Sequence, residues 1–259
     1  MTTTPQLETA KADGVLRITF RREEAFNALS EEMARGLVEA LHAAVSDDEV
    51  RVVVITGSGF AFSAGADLTG DNPVEGFDER TMEGAAAIIR SVVGLDKPVI
   101  AAVNGVAAGV GASLCFVSDL TVCKESAAFI LAFSQVGLMP DGGSSLSVAA
   151  SVGSAKAMRM ALLAEPLAAR EAHDAGLVSH VVPDDEFDAL VDKLARRLAA
   201  GPPLALAATK RAINAATLAQ LEDALDREGR GQVILFGTED TAEGMRAFVQ
   251  KRRPTFTGR

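Results

Sequence analysis

The 259-residue chain has only two cysteines, three histidines and no excess of positive charge. Each shortage excludes something. Cys115 and Cys123 are too few for a disulfide framework in a chain of this length, so a reducing, cytoplasmic setting is expected. They cannot close a zinc site alone, His42, His173 and His180 show no ligand spacing near them, and no metal site is expected. With 25 Lys and Arg against 35 Asp and Glu, the net charge is −10, and the basic footprint of a nucleic-acid binder is absent. The first residues carry neither the basic nor the apolar stretch of a secretory leader. One uncharged run, Pro98 to Ser118, is long enough for a membrane span. It contains Asn104, Gly105, Gly109 and Gly111, and is rich in Ala and Val rather than Leu and Phe. It reads as a buried strand that turns into a buried helix, and no membrane partner is expected.

What the chain does have is alternation of strand and helix. Val15–Phe20 alternates as a strand. Ser30 has the chemistry of a helix N-cap, with Glu31 and Glu32 in the first turn. Met33, Leu37, Val38, Leu41 and Val45 then recur at helical spacing. Val50–Thr56 and Pro98–Val103 are apolar, β-rich runs expected to be buried strands. Thr81–Leu95 and Gly109–Val117 read as helices, and Leu120–Cys123 as a short strand. This order predicts an α/β fold with a parallel-sheet core. After Pro166 the strand signal largely stops. Residues 184–200, 203–217, 218–235 and 240–251 read as helices. The expected division is a core over 1–200 and a helical region over 201–259. Thr69–Asp78 has loop chemistry and is the candidate flap.

Two glycine-rich segments follow predicted strands: Gly57-Ser-Gly-Phe-Ala-Phe-Ser-Ala-Gly-Ala-Asp-Leu68 and Asn104-Gly-Val-Ala-Ala-Gly-Val-Gly-Ala-Ser113. Small residues there let a ligand approach the backbone, and the free N–H groups that open a helix hold negative charge. The same clusters also serve plain close packing, and the segments alone leave both readings open. A dinucleotide fingerprint does not fit, because Leu114 stands where the third glycine belongs and no acid follows about 20 residues on. A serine hydrolase does not fit either, for want of a Gly-x-Ser-x-Gly elbow and a histidine near Ser63 or Ser113.

Taken together, the segments resemble the crotonase superfamily, the enoyl-CoA hydratase/isomerase family, over nearly the whole chain. Arg22-Glu-Glu-Ala-Phe-Asn-Ala-Leu29 is similar to the family's Arg-Pro-…-Asn-Ala-Leu segment, with Glu23 where proline is usual. Phe62–Leu68 and Pro98–Gly111 resemble its two oxyanion-hole turns. Gly137–Gly143 resembles its Gly-x-x-Pro-x-x-Gly turn, and Gly201-Pro-Pro-Leu-Ala and Glu243–Arg252 its C-terminal helices. The resemblance implies a spiral of ββα turns with a helical C-terminal trimerisation region, and a homotrimer or dimer of trimers. It implies a coenzyme A thioester as substrate and no further cofactor. It implies that the N–H groups of Ala66 and Val110 hold the thioester oxygen. Valine is a departure from the usual glycine at the second position, but any residue except proline keeps the donor.

The family's hydratases place water with two glutamates, which fall here at Ser113 and Phe133. Neither is a carboxylate, so two-glutamate hydration is not expected; a double-bond isomerase is, with a divergent hydratase using another acid, or an acyl-CoA-binding protein without turnover, as the alternatives. Asp141, in Met139-Pro-Asp-Gly-Gly143, matches the aspartate that shuttles the proton in the family's double-bond isomerases. A carboxyl at the edge of an apolar pocket suits that role. It also suits a cap on a following helix, Gly142–Ala150. The flap acids Asp71 and Glu75 are lesser candidates. The resemblance further implies thioester contacts from Arg22, Ala25, Ala64, Asp67, Leu68, Gly109, Ser113 and Phe133. It adds Phe248 and Lys251 as a C-terminal aromatic and lysine that reach the coenzyme A of a neighbouring subunit. A solvated basic tail at Lys251–Arg253 is the plain alternative.

Overall fold

In the computed structural model, which describes residues 5–68 and 76–259, a hairpin begins the chain. Its strands are β1 (Leu7–Ala12) and β2 (Val15–Phe20), joined across Asp13 and Gly14, both at positive φ. That geometry matches the right-handed twist of the flanking strands. Helix α1 (Glu31–Ser46) follows, and the Ser30 hydroxyl accepts the Met33 N–H at 3.2 Å as the expected cap. Three turns then repeat one pattern of long strand, short strand and helix. They are β3 (Val52–Gly57), β4 (Ala61–Ser63) and α2 (Glu79–Gly94); β5 (Val99–Val103), β6 (Val106–Ala108) and α3 (Val110–Val117); and β7 (Leu120–Lys124), β8 (Ala128–Ile130) and α4 (Ser144–Leu163). After them come β9 (Leu167–Ala168), α5 (Ala169–Asp174), β10 (His180–Val182) and α6 (Phe187–Ala199). The chain closes with α7 (Pro203–Thr217), α8 (Leu221–Phe236) and α9 (Glu239–Val249).

The long strands form one sheet in the order β1-β2-β3-β5-β7-β10, parallel apart from the hairpin. The short ones form a second, in the order β4-β6-β8-β9. The first sheet is buried on both faces. Val53 and Ile55 face the main core with α1 and α2, while Val52, Val54, Ile100 and Val122 face Phe187 and Val191 of α6. Two-sided burial explains why these strands read as continuous apolar runs. The run from Pro98 to Ser118 resolves into β5, β6 and α3, and no helix among the described residues is long and apolar enough to cross a membrane.

The crossing from long to short strand brings glycines against backbone. A Cβ on Gly57 would lie 2.2 Å from the Ala61 carbonyl oxygen, and one on Gly105 2.0 Å from that of Phe60. Two buried asparagines lock the same place. Asn27 donates to the carbonyls of Ser58 (2.9 Å) and Ala61 (2.8 Å), and Asn104 accepts the Gly57 N–H at 3.1 Å. These contacts stack the first turn of the spiral on the second.

One expectation is corrected. The strand pattern does not end at Pro166: β9 and β10 extend the two sheets, but at two and three residues they are too short to show a period. The C-terminal region is helical as expected, and its α8 packs on α2 and α4 and supplies part of the site below. The expected flap lies outside the described residues from 69 to 75, with Asp71 and Glu75 in it.

Candidate active site

Both glycine-rich turns end at one cavity of about 120 Å³. Ala64, Ala66 and Leu68 border it from the first turn, and Gly109 and Val110 from the second. The turns meet because neither carries a side chain at the contact: a Cβ on Gly65 would lie 2.9 Å from the Ala108 carbonyl oxygen. Gly109 has φ +52° and precedes the first residue of α3, so the Val110 N–H has no acceptor within its own helix. Among the described residues no acceptor takes the N–H of Ala66 or of Val110. Two uncommitted donors thus border a mostly apolar space, closed by Met82 of α2, Phe133, Leu138, Phe236 of α8 and Phe248 of α9.

The one ionisable group lining this cavity, among the described residues, is Asp141. It is 8% exposed. Its Oδ2 accepts the side-chain N–H of Gln232 at 2.9 Å, and its Oδ1 is buried with no hydrogen-bond partner among the described residues. Burial pushes its pKa up to about 7; the Gln232 donor works against that shift, and the nearby Glu228 adds to it. A carboxyl in this state takes and returns protons at neutral pH.

Asp141 does not cap α4 with its side chain. The free N–H groups of Gly143 and Ser145 go instead to the Glu228 carboxylate, at 2.7 and 3.0 Å. The Asp141 backbone carbonyl accepts from the hydroxyls of Ser113 (2.8 Å) and Ser144 (2.7 Å). Ser113 itself is fully buried behind the cavity wall and does not line it. The expected contact from Ser113 to substrate is therefore corrected: its short side chain turns to backbone and supports the aspartate segment. Phe133 does line the cavity, where its ring lies 3.9 Å from a Cβ built on Gly109.

Arg22 and Asp67 form an ion pair at 2.6 Å, and Arg22 also donates to the Ala28 carbonyl at 3.2 Å. They fasten the first turn to the loop after β2. Ala25 is half-buried in a 3₁₀ turn of that loop and does not itself line the cavity. Lys251 is exposed, while Phe248 borders the cavity of its own chain. Helix α9 folds back on this site, with Gly244 pressed against the backbone of Val136.

A larger groove of about 450 Å³ lies elsewhere, between α4 and α7. Its acid, Asp119, is already paired with Lys210 at 2.8 Å, and Lys210 also donates to the Val92 carbonyl at 2.8 Å. Among the described residues, that groove offers no unpaired acid.

The family model for enoyl-CoA hydratase/isomerase matches residues 10–259. The chain belongs to the enoyl-CoA hydratase/isomerase family. A probable enoyl-CoA hydratase of Rhodobacter capsulatus is 42% identical over 250 residues, 96% of each chain. The 1,2-epoxyphenylacetyl-CoA isomerase of Escherichia coli is 39% identical over 95% of this chain and 96% of that one. The crystal structure of an enoyl-CoA hydratase from Mycobacterium avium subsp. paratuberculosis superposes with a TM-score of 0.92 at 44% identity, covering 97% of this chain and 98% of that one. The fold is thus the crotonase fold, and the protein is an acyl-CoA enzyme of this family.

Sequence reading missed Gln232 and Glu228. Their signal was available. Leu221, Leu225, Glu228, Gln232 and Phe236 are all buried along one face of α8, and two polar residues on an apolar stripe need partners.

Proposed function

We propose that this enzyme moves a carbon–carbon double bond in an enoyl-CoA thioester, with Asp141 as the single acid/base and the N–H groups of Ala66 and Val110 as the oxyanion hole. The observation that carries this reading is a buried carboxyl with one unpartnered oxygen, in an apolar cavity that two uncommitted backbone donors also border. With a 3-enoyl thioester, the Asp141 carboxylate takes the proton from C2. The electron pair passes into the conjugated enolate, whose negative oxygen the two N–H groups stabilise. The same proton then returns at C4, leaving the 2-enoyl thioester and a regenerated carboxylate. Nothing is added or released, so no activated water is needed. Phe133 and Ser113, standing at the positions of the two hydratase glutamates, favour this course over hydration.

Hydration is the second reading, favoured by the name of the Rhodobacter capsulatus relative. The two part in a paired assay. One arm offers a 3-enoyl-CoA and follows its conjugation; the other offers a 2-enoyl-CoA and follows loss of the conjugated absorbance. Conjugation is expected to exceed hydration by at least about tenfold. Hydration as the faster reaction would overturn the isomerase reading.

The coenzyme A end is proposed to leave the cavity past Ala25, Ala64 and Leu68, with Phe248 and Lys251 near the rim. The oligomer is proposed to be a trimer or a dimer of trimers. Met158, Leu162 and Leu163 at the end of α4, with Ile213 of α7 and Ile234 of α8, are exposed apolar side chains that a neighbouring copy would cover. Light scattering on the purified protein is expected to give a multiple of three chains, about 81 kDa or 161 kDa from a 26.9 kDa chain. A monomer would contradict this.

A further inference from the structure

We infer that Gln232 is a positioning residue for Asp141: its side-chain amide fixes Oδ2, so that Oδ1 is the oxygen that takes and returns the proton. The inference rests on the isomerase reading for its consequence, and on the geometry of α8 for its substance.

Both ends of the Gln232 amide are used. Its N–H group donates to Asp141 Oδ2 at 2.9 Å, and its carbonyl oxygen accepts the Met139 N–H at 3.3 Å. A backbone N–H can only donate, so the amide is held in one orientation. Asp141 and Met139 flank Pro140, and Gln232 ties both to one point on α8. One helical turn earlier, Glu228 takes the N–H groups of Gly143 and Ser145. Helix α8 therefore grips the chain on both sides of the aspartate. The fit leaves no slack, since a Cβ on Gly231 would lie 2.3 Å from the Met139 sulfur. From behind, the Ser113 hydroxyl holds the Asp141 carbonyl. Of the two carboxylate oxygens of Asp141, Oδ2 is taken by Gln232, and Oδ1, though buried, has no partner among the described residues.

The charged neighbour facing Asp141 is Glu228 of α8. From α2, α3 and α9 the described cavity-lining side chains are uncharged: Thr81, Met82, Ala85, Val110 and Phe248. A donor to Oδ2 stabilises the charged carboxylate, so its removal must raise the pKa of Asp141. Conversion of Gln232 to a second acid must raise it further.

The test is a carboxyl ¹³C NMR titration of full-length protein labelled at aspartate, with the Asp141 resonance assigned by its absence in Asp141→Asn. In Gln232→Met, which keeps the side-chain length without a donor, the midpoint is expected to move up by about one pH unit. In the isosteric Gln232→Glu it is expected to move higher still. In parallel, kcat should fall about tenfold or more with KM nearly unchanged, and the acidic limb of the kcat profile should follow the NMR midpoint. A role confined to packing would lower the folded fraction or the rate at every pH and leave the midpoint in place. An unchanged midpoint in the variant that folds, or in both, overturns the inference whatever happens to turnover. Failure of the isomerase reading is seen separately, as hydration outrunning conjugation in the paired assay of the wild-type enzyme.

Discussion

Asp141→Asn is expected to cut double-bond isomerisation by about 10²–10⁴-fold while leaving thioester binding largely intact. Asparagine matches aspartate in shape, and its carbonyl oxygen can still accept the Gln232 N–H, so the cavity keeps its walls. What disappears is the proton carrier, and no second carboxyl lines the cavity among the described residues. The wild-type rate should carry the mark of that group. With the folded pKa at about 7, the carboxylate base forms as pH rises through neutrality, so activity should climb across that range and flatten above it. The variant's residual rate should lack the limb. Stability should move the other way. The folded pKa lies above the ordinary value of 3.8, so the folded state binds the proton more tightly than the unfolded chain does. Folding stability at this site is therefore full below pH 4, falls as pH rises toward 7, and stays reduced above it. Asp141→Asn removes that loss. Its thermal midpoint should exceed that of the wild type at pH 8, by about 2–4 °C for each kcal/mol relieved, and the gain should shrink toward pH 5. Undiminished turnover in Asp141→Asn would end the single-base mechanism.

Val110→Pro is expected to lower kcat/KM by about 10²–10³-fold, the usual cost of deleting one oxyanion-hole donor. Proline is the one residue that removes the N–H, and Val110 is the first residue of α3, where proline is well tolerated. The glycine before it, at φ +52°, adapts more readily than another residue would. The fold should therefore survive, as circular dichroism can verify. Val110→Ala is the matched control. It keeps the donor and should retain most of the activity, with a wider acyl pocket. If proline and alanine behaved alike, the Val110 N–H would have no part in stabilising the enolate.

Much of this architecture could be read from the residues, and the exceptions have physical reasons. Helices α1, α2, α6, α7, α8 and α9 appear within a few residues of their expected bounds because their apolar stripes repeat over several turns. The strands of the second sheet escape notice, because two or three residues carry no period and their pairing is set by the crossings at Gly57 and Gly105. Within the site, Ala66, Val110, Asp141 and Phe133 come to one cavity because each sits in a local motif with its own turn chemistry. That Ser113 lies behind the wall is not legible in the sequence, because periodicity in an eight-residue helix buried almost throughout does not tell one face from another. Gln232 lies 91 residues from its partner, and no local pattern joins such a pair. It emerges only when α8 is seen lying along the segment from Met139 to Ser145.

That separation also sets a schedule. Ribosomes add about 5–20 residues per second, so the 91 residues between the acid and its amide partner take about 5–18 s to make at those speeds. During that interval Asp141 exists without α8 beside it. Water reaches the carboxyl, and its proton affinity is that of any exposed aspartate. Such a group is charged at neutral pH and a feeble base toward carbon. With Asp141 as the proposed base, proton transfer must wait until the last helices have been made and have closed over the acid, so a nascent or C-terminally truncated chain is expected to be inert toward thioesters.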